Sequence, residues 1–115
     1  MSVTIYHNPR CSKSRQTLQI LDEKGIEAQV IEYLNTPPSS GELSNILNLL
    51  GIRPRDLMRK NEAIYKELGL GDENMSDDDL IAAMLANPIL IERPIVVANG
   101  KARIGRPPES VLEII

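Results

Sequence analysis

The residues best suited to covalent chemistry lie in one short stretch, His7-Asn8-Pro9-Arg10-Cys11-Ser12-Lys13-Ser14-Arg15. Cys11 is the only cysteine, so it cannot form a disulfide within the chain. His7, Arg10, Lys13 and Arg15 all fall within four residues of it. Nearby cations favour the thiolate, which is the nucleophilic form of the side chain. Free cysteines are often buried as small hydrophobes, but these flanks are polar and basic, which favours a nucleophile over a core residue. Ser14 follows Cys11 by three residues. Early in a helix, that spacing lets a hydroxyl reach back toward the sulfur, and a hydrogen bond given to the thiolate favours its charged form. His7, the only histidine, can stabilise the thiolate or relay a proton.

Three arginines complete the candidate chemistry. Arg59, Arg93 and Arg106 are far apart in sequence, and the last two directly precede Pro94 and Pro107. A residue before proline is restricted toward extended backbone, which aims its side chain reproducibly. Guanidinium forks bind tetrahedral oxyanions through paired hydrogen bonds. Converging on one thiolate, these arginines would make a site for an anion that sulfur attacks; the sequence leaves the convergence open. Two familiar patterns are absent. Cys11 and Arg15 have C-x₃-R spacing rather than C-x₅-R, and Ser14 stands where a C-x-x-C dithiol has its second cysteine. Cys11 and His7 alone are too few ligands for a metal, so no metal site is expected.

The elements that must position these residues follow from pattern. Val3-Thr4-Ile5-Tyr6 reads as a strand ended by Asn8-Pro9. A helix follows with Ser14, Leu18 and Leu21 on one side and Gly25 as its stop, placing Cys11 at its N-terminus. Residues 28–34 read as a second strand, and a helical crossover implies parallel pairing. Ser39 and Glu42 have capping-box spacing before Leu43, Ile46, Leu47 and Leu50, which mark one helix face. Pro54 opens a further short helix, residues 63–68 form another, and Ser76 followed by Asp77-Asp78-Asp79 caps a fourth. Residues 94–98 and 101–104 flank Asn99-Gly100 as a hairpin, and a short helix starting at Pro107-Pro108 ends the chain.

This order is β-α-β, a helical insertion, then β-β-α. It resembles the thioredoxin-like architecture, an α/β class with a mixed sheet flanked by helices. The resemblance implies a reactive cysteine in the first β-α turn. It also implies a facing proline, usually cis, before the third strand; Pro94 is that position.

The 115 residues predict a single domain over 1–115. With no Phe and no Trp, Ile, Leu, Val and Met must fill the core. A net charge of -3 argues against a general nucleic-acid binder, yet the basic residues cluster at 10–15, 53–60 and 101–106. No apolar run approaches the roughly 18 residues that span a bilayer, and the N-terminus lacks a signal peptide's pattern. An unpaired cysteine fits a reducing compartment. The expectation is a cytoplasmic protein without membrane or nucleic-acid partners.

Taken in order, the pieces are more specific than any one of them. Ile5-Tyr6-His7-Asn8-Pro9, Cys11, Ser14-Arg15, Tyr33-Leu34, Pro37-Pro38-Ser39 and Leu57-Met58-Arg59-Lys60-Asn61 come first. Leu68-Gly69-Leu70, Asn87-Pro88-Ile89-Leu90-Ile91, Arg93-Pro94-Ile95-Val96-Val97 and Arg106-Pro107 complete the series. Together they resemble the glutaredoxin-dependent arsenate reductases of the ArsC family, nearly end to end. The resemblance implies that Cys11 attacks arsenate, that His7 and Ser14 favour its thiolate, and that Arg59, Arg93 and Arg106 hold the oxyanion. It implies glutathione as co-substrate, glutaredoxin as partner and no bound cofactor. The chain departs from the plasmid-type reductases at Ser12-Lys13, where they carry Gly-Thr, and at Arg10, where they carry a small residue. Two other readings stand beside it: a redox-sensing regulator of the Spx type, which commonly uses the C-x-x-C switch lacking here, and a general glutathione-dependent thiol oxidoreductase.

Overall fold

The computed structural model describes residues 2–115, which gather into two compact units. One comprises the residues before Pro37 together with Arg93–Ile115; the other is Pro37–Glu92.

The first unit is built on a four-stranded sheet in the order β2-β1-β3-β4. Its elements are β1 (Val3–Tyr6), α1 (Ser12–Glu23), β2 (Gln29–Ile31), β3 (Ile95–Ala98) and β4 (Lys101–Ile104). The α1 crossover makes β1 and β2 parallel, whereas β3 runs antiparallel to both β1 and β4. Alternation along a strand sends every second side chain to one face. Val3 opposes Ala98 and Ile5 opposes Val96, so these four line one face together. Leu21 of α1 packs on that face with Val111 and Ile114, and all seven residues are buried. Each large aliphatic side chain fully buried there contributes about 1.5–3 kcal/mol. This is the mixed α/β sheet with flanking helices that the element order predicts.

The β3–β4 turn uses Asn99 at φ 55° and Gly100 at φ 71°. Both are left-handed, the geometry that Asn-Gly supplies to a two-residue hairpin. Asn99 Nδ2 also donates to the Ile114 carbonyl at 2.8 Å, tying the turn to the chain end.

Local departures from the sequence reading have local causes. β2 covers three residues instead of the seven expected over 28–34. It stops because the amides of Asn35 and Thr36 both donate to the Glu32 carbonyl, turning the chain. The terminal helix is a 3-10 segment, Pro108–Glu113, closed by i→i+3 bonds such as Ser110 N–H to the Pro107 carbonyl. The peptide bonds Arg93–Pro94 and Arg106–Pro107 are cis. The first is the position the fold resemblance indicates; the second had no counterpart in the sequence reading.

The second unit is helical: α2 (Ser40–Leu50), α3 (Ala63–Glu67) and α4 (Asp77–Ala86), with 3-10 turns at Pro54–Leu57 and Pro88–Leu90. Complete capping boxes start α2 and α4. Ser39 Oγ accepts from the Glu42 amide while Glu42 accepts from the Ser39 amide, and Ser76 and Asp79 repeat the pattern. These bonds to Ser39 hold the Glu42 carboxyl below its ordinary range. Leu43, Ile46 and Leu47 of α2 are buried, as are Leu80 and Met84 of α4, which packs on α2. Arg55 is a staple: its guanidinium donates to Tyr65 Oη at 2.9 Å, to the Leu70 carbonyl, and to the Asp72 carbonyl at 2.8 Å. Among the described residues, no helix is long and apolar enough to cross a membrane.

Candidate active site

Cys11 is the N-cap of α1, with extended backbone (φ -94°, ψ 124°). The preceding turn is tight, and the sequence dictates it. Pro9 and Arg10 occupy its centre, and the Cys11 amide donates back to the Asn8 carbonyl at 3.0 Å. Asn8 Oδ1 accepts from the Arg10 amide at 3.0 Å, a side-chain turn mimic that Asn favours. The helix continues without interruption, since the Arg15 amide donates to the Cys11 carbonyl at 3.0 Å. The first turn of α1 carries no acidic side chain. Its amide ends therefore face an anion without local competition, and they carry the positive end of the helix dipole. Cys11 is buried, only 8 % exposed, and so largely desolvated.

Ser14 and His7 meet directly across that turn. Ser14 Oγ lies 2.7 Å from His7 Nδ1 and accepts from the Asn8 amide at 3.0 Å. Ser14 is fully buried and His7 is 6 % exposed. Burial pushes the His7 pKa below 6.5; the Glu32 carboxylate opposes that shift and the Arg15 guanidinium adds to it. His7 is anchored through its own amide, which donates to the Ile31 carbonyl of β2 at 2.8 Å.

Arg106 Nη2 lies 3.5 Å from Cys11 Sγ, 95 residues away in sequence. Its Nε donates to the Arg93 carbonyl at 2.8 Å, so one guanidinium fork links the two candidate arginine positions. A residue missed by the sequence reading makes this approach possible. Gly105 precedes Arg106, and a Cβ there would fall 2.5 Å from Thr17 Oγ1 and 2.8 Å from Pro94 Cγ. Only glycine fits between α1 and the Arg93–Pro94 segment. The amide of Gly105 donates to the Pro94 carbonyl at 2.9 Å, fixing that approach. A glycine between a strand and Arg-Pro was the one signal available.

In the first unit Arg106 thus meets Cys11 Sγ and the Arg93 carbonyl, and Ser14 meets His7 rather than the sulfur. Arg59 belongs to the second unit. There its amide donates to the Leu90 carbonyl at 2.7 Å, in a short pairing of Met58 with Ile91. Its guanidinium lies 3.8 Å from Glu62 and 3.7 Å from Glu92. Both separations exceed a good hydrogen bond, so these carboxylates neutralise Arg59 loosely. Among the described residues, no three His, Cys, Asp or Glu side chains are grouped to hold a metal ion.

Known proteins resemble this chain along nearly its whole length. The model of the ArsC family matches residues 6–114. An uncharacterized protein of Escherichia coli K12, YfgD, is 60% identical over 98% of this chain and 96% of its own length. An arsenate reductase of Neisseria meningitidis serogroup A is 50% identical over 98% of this chain and 97% of its own. The solved structure of an arsenate reductase from Vibrio cholerae superposes with a TM-score of 0.97 at 60% identity, covering 100% of this chain and 98% of that one.

Proposed function

The chain belongs to the ArsC family of thioredoxin-like proteins, and from that premise we propose that it reduces arsenate to arsenite through its single cysteine. The observation that carries the reading is Cys11 Sγ at the N-terminus of α1 with the Arg106 fork 3.5 Å away. A thiolate beside oriented N–H donors suits attack on a tetrahedral oxyanion.

The proton arrangement supports the same chemistry. Ser14 has one hydroxyl proton and already accepts from the Asn8 amide. With His7 neutral and Nδ1 unprotonated, Ser14 gives that proton to Nδ1. With a proton on Nδ1, His7 donates to Ser14 Oγ and the hydroxyl proton is free to turn to another acceptor. His7 and Ser14 therefore act as a pair whose shared proton can sit on either side chain.

In the proposed cycle, Cys11 displaces one arsenate oxygen as water, forming an S–As(V) bond. Glutathione then condenses on arsenic, releasing a second water. A glutaredoxin thiol attacks the glutathione sulfur, forming a mixed disulfide. The S–As electron pair stays on arsenic, which becomes As(III). Water then cleaves the Cys11–As bond and frees arsenite. Arg106 and Arg93 bind the oxyanion in the first unit, and Arg59 is the third cation this reading assigns to it. Having no second cysteine, the chain takes both remaining thiols from outside.

The test is NADPH oxidation coupled through glutathione reductase, glutaredoxin and glutathione, started by adding arsenate. Arsenate-dependent oxidation that disappears in Cys11→Ser is the expected result. Folded wild-type protein giving no arsenate-dependent turnover would overturn the reading.

A further inference from the structure

Beside the Cys11 turn, on its β2 side, lies a cavity of about 330 Å³ lined by His7, Pro9, Arg10, Glu32, Leu34 and Asn35 among others. Its size falls in the range of small-molecule sites. The fold itself creates it. β1 and β2 are parallel with Tyr6 opposite Ile31, so the next residues, His7 and Glu32, come side by side at the strand ends. The chain then turns at residues 32–36 and brings Leu34 and Asn35 back against the Asn8-Pro9-Arg10 turn.

The lining has a particular chemistry. Arg10 immediately precedes Cys11 and is exposed. Glu32, lining the same cavity, is also exposed, and its charge is felt by the His7 ring. Asn35 offers both a donor and an acceptor, and Leu34 with Pro9 adds apolar surface beside them. Opposite charges lining one small cavity match a ligand that carries both signs, not a simple oxyanion. The arginines assigned to the oxyanion lie elsewhere.

We propose that this cavity is the seat of the external thiol: a small zwitterionic thiol peptide, of which glutathione is the probe, with a carboxylate toward Arg10 and its ammonium toward Glu32. The assignment rests on the reductase reading, which requires a second thiol to arrive beside Cys11. It separates two binding events in space, oxyanion on the Arg93–Arg106 side and co-substrate on the Glu32 side. Arg10 and Glu32 act by holding the ligand's ends and take no part in bond making.

S-Methylglutathione tests the site without redox chemistry, since it has no free thiol. Titrated into the isotope-labelled chain, it is expected to shift backbone amide resonances of Asn8, Arg10, Glu32 and Asn35. Arg10→Ala and Glu32→Gln, both at exposed positions, should each weaken its binding about fivefold, as loss of one exposed charge pair does. In the coupled assay the same variants should raise the KM for glutathione and leave the KM for arsenate unchanged. Shifts confined to Arg93–Ile95, absence of saturable shifts, or binding indifferent to both substitutions would overturn the proposal. Because the titration needs no arsenate, a chain that binds S-methylglutathione here but fails to reduce arsenate would refute the reductase reading and leave the site standing.

Discussion

His7 shares a hydrogen bond with Ser14, and the titration of its buried ring gives the fold a pH dependence. The His7 pKa is lowered in the fold, chiefly by burial. Between that lowered value and the unfolded value near 6.5, the unfolded chain binds more protons than the folded one. Stability from His7 is therefore complete above about pH 6.5 and is lost as pH falls through the folded pKa. Urea unfolding across pH 4–8 should show a rise with pH that flattens above about 6.5, and His7→Gln should remove that component. An identical slope in the variant would refute it. Arg106→Lys keeps the charge but cannot both reach Cys11 Sγ and donate to the Arg93 carbonyl as the fork does. Its kcat/KM for arsenate should fall about tenfold or more, ~1.4 kcal/mol, and unchanged kinetics would count against the role. Type and spacing single out Cys11, His7 and Ser14 as candidates. They do not reveal Ser14's actual partner, because His7 Nδ1 meets its hydroxyl only once the Asn8–Cys11 turn has folded the strand end back over α1.

Among the elements, the junction of β4 with the Arg106 segment is the most sensitive. Gly105→Ala forces a Cβ against Thr17 and Pro94. Overpacking of this kind costs about 1–3 kcal/mol, and here it also displaces Arg106 from Cys11. Thermal unfolding should shift down while the KM for arsenate rises. Ser39→Ala is the contrasting case. It removes the α2 cap, costs about 1 kcal/mol, and should leave the kinetics as they were. Equal kinetic effects of the two substitutions would contradict the account. The caps of α2 and α4 and the Asn99-Gly100 hairpin could be read directly, because each is local chemistry between residues two or three apart. The length of β2 could not. Residues 28–34 have strand composition throughout, but the Glu32 carbonyl captures two following amides and ends the ladder. Gly105 escaped notice for a related reason: its neighbours, Thr17 and Pro94, are remote in sequence.

Across the whole molecule, the net charge of -3 conceals an uneven division. The unit that carries Cys11 holds eight Lys and Arg against six Asp and Glu, whereas Pro37–Glu92 holds five against ten. Cys11, the proposed nucleophile, thus sits in the net-positive part of a net-negative chain, which suits the proposed anion-binding role. Screening acts on such fields over about 8–10 Å at physiological salt. The KM for arsenate should therefore rise with added sodium chloride while kcat holds, and a salt-independent KM would argue against electrostatic capture. The central claim, that Cys11 alone supplies the enzyme's thiol and outside thiols supply the electrons, is tested most directly by measuring arsenite formed against NADPH consumed, with each component omitted in turn. The account predicts equal amounts of the two, with arsenite formation abolished by leaving out glutathione or glutaredoxin or by Cys11→Ser. Arsenite produced at the full rate without glutathione and glutaredoxin, or by Cys11→Ser, would contradict it.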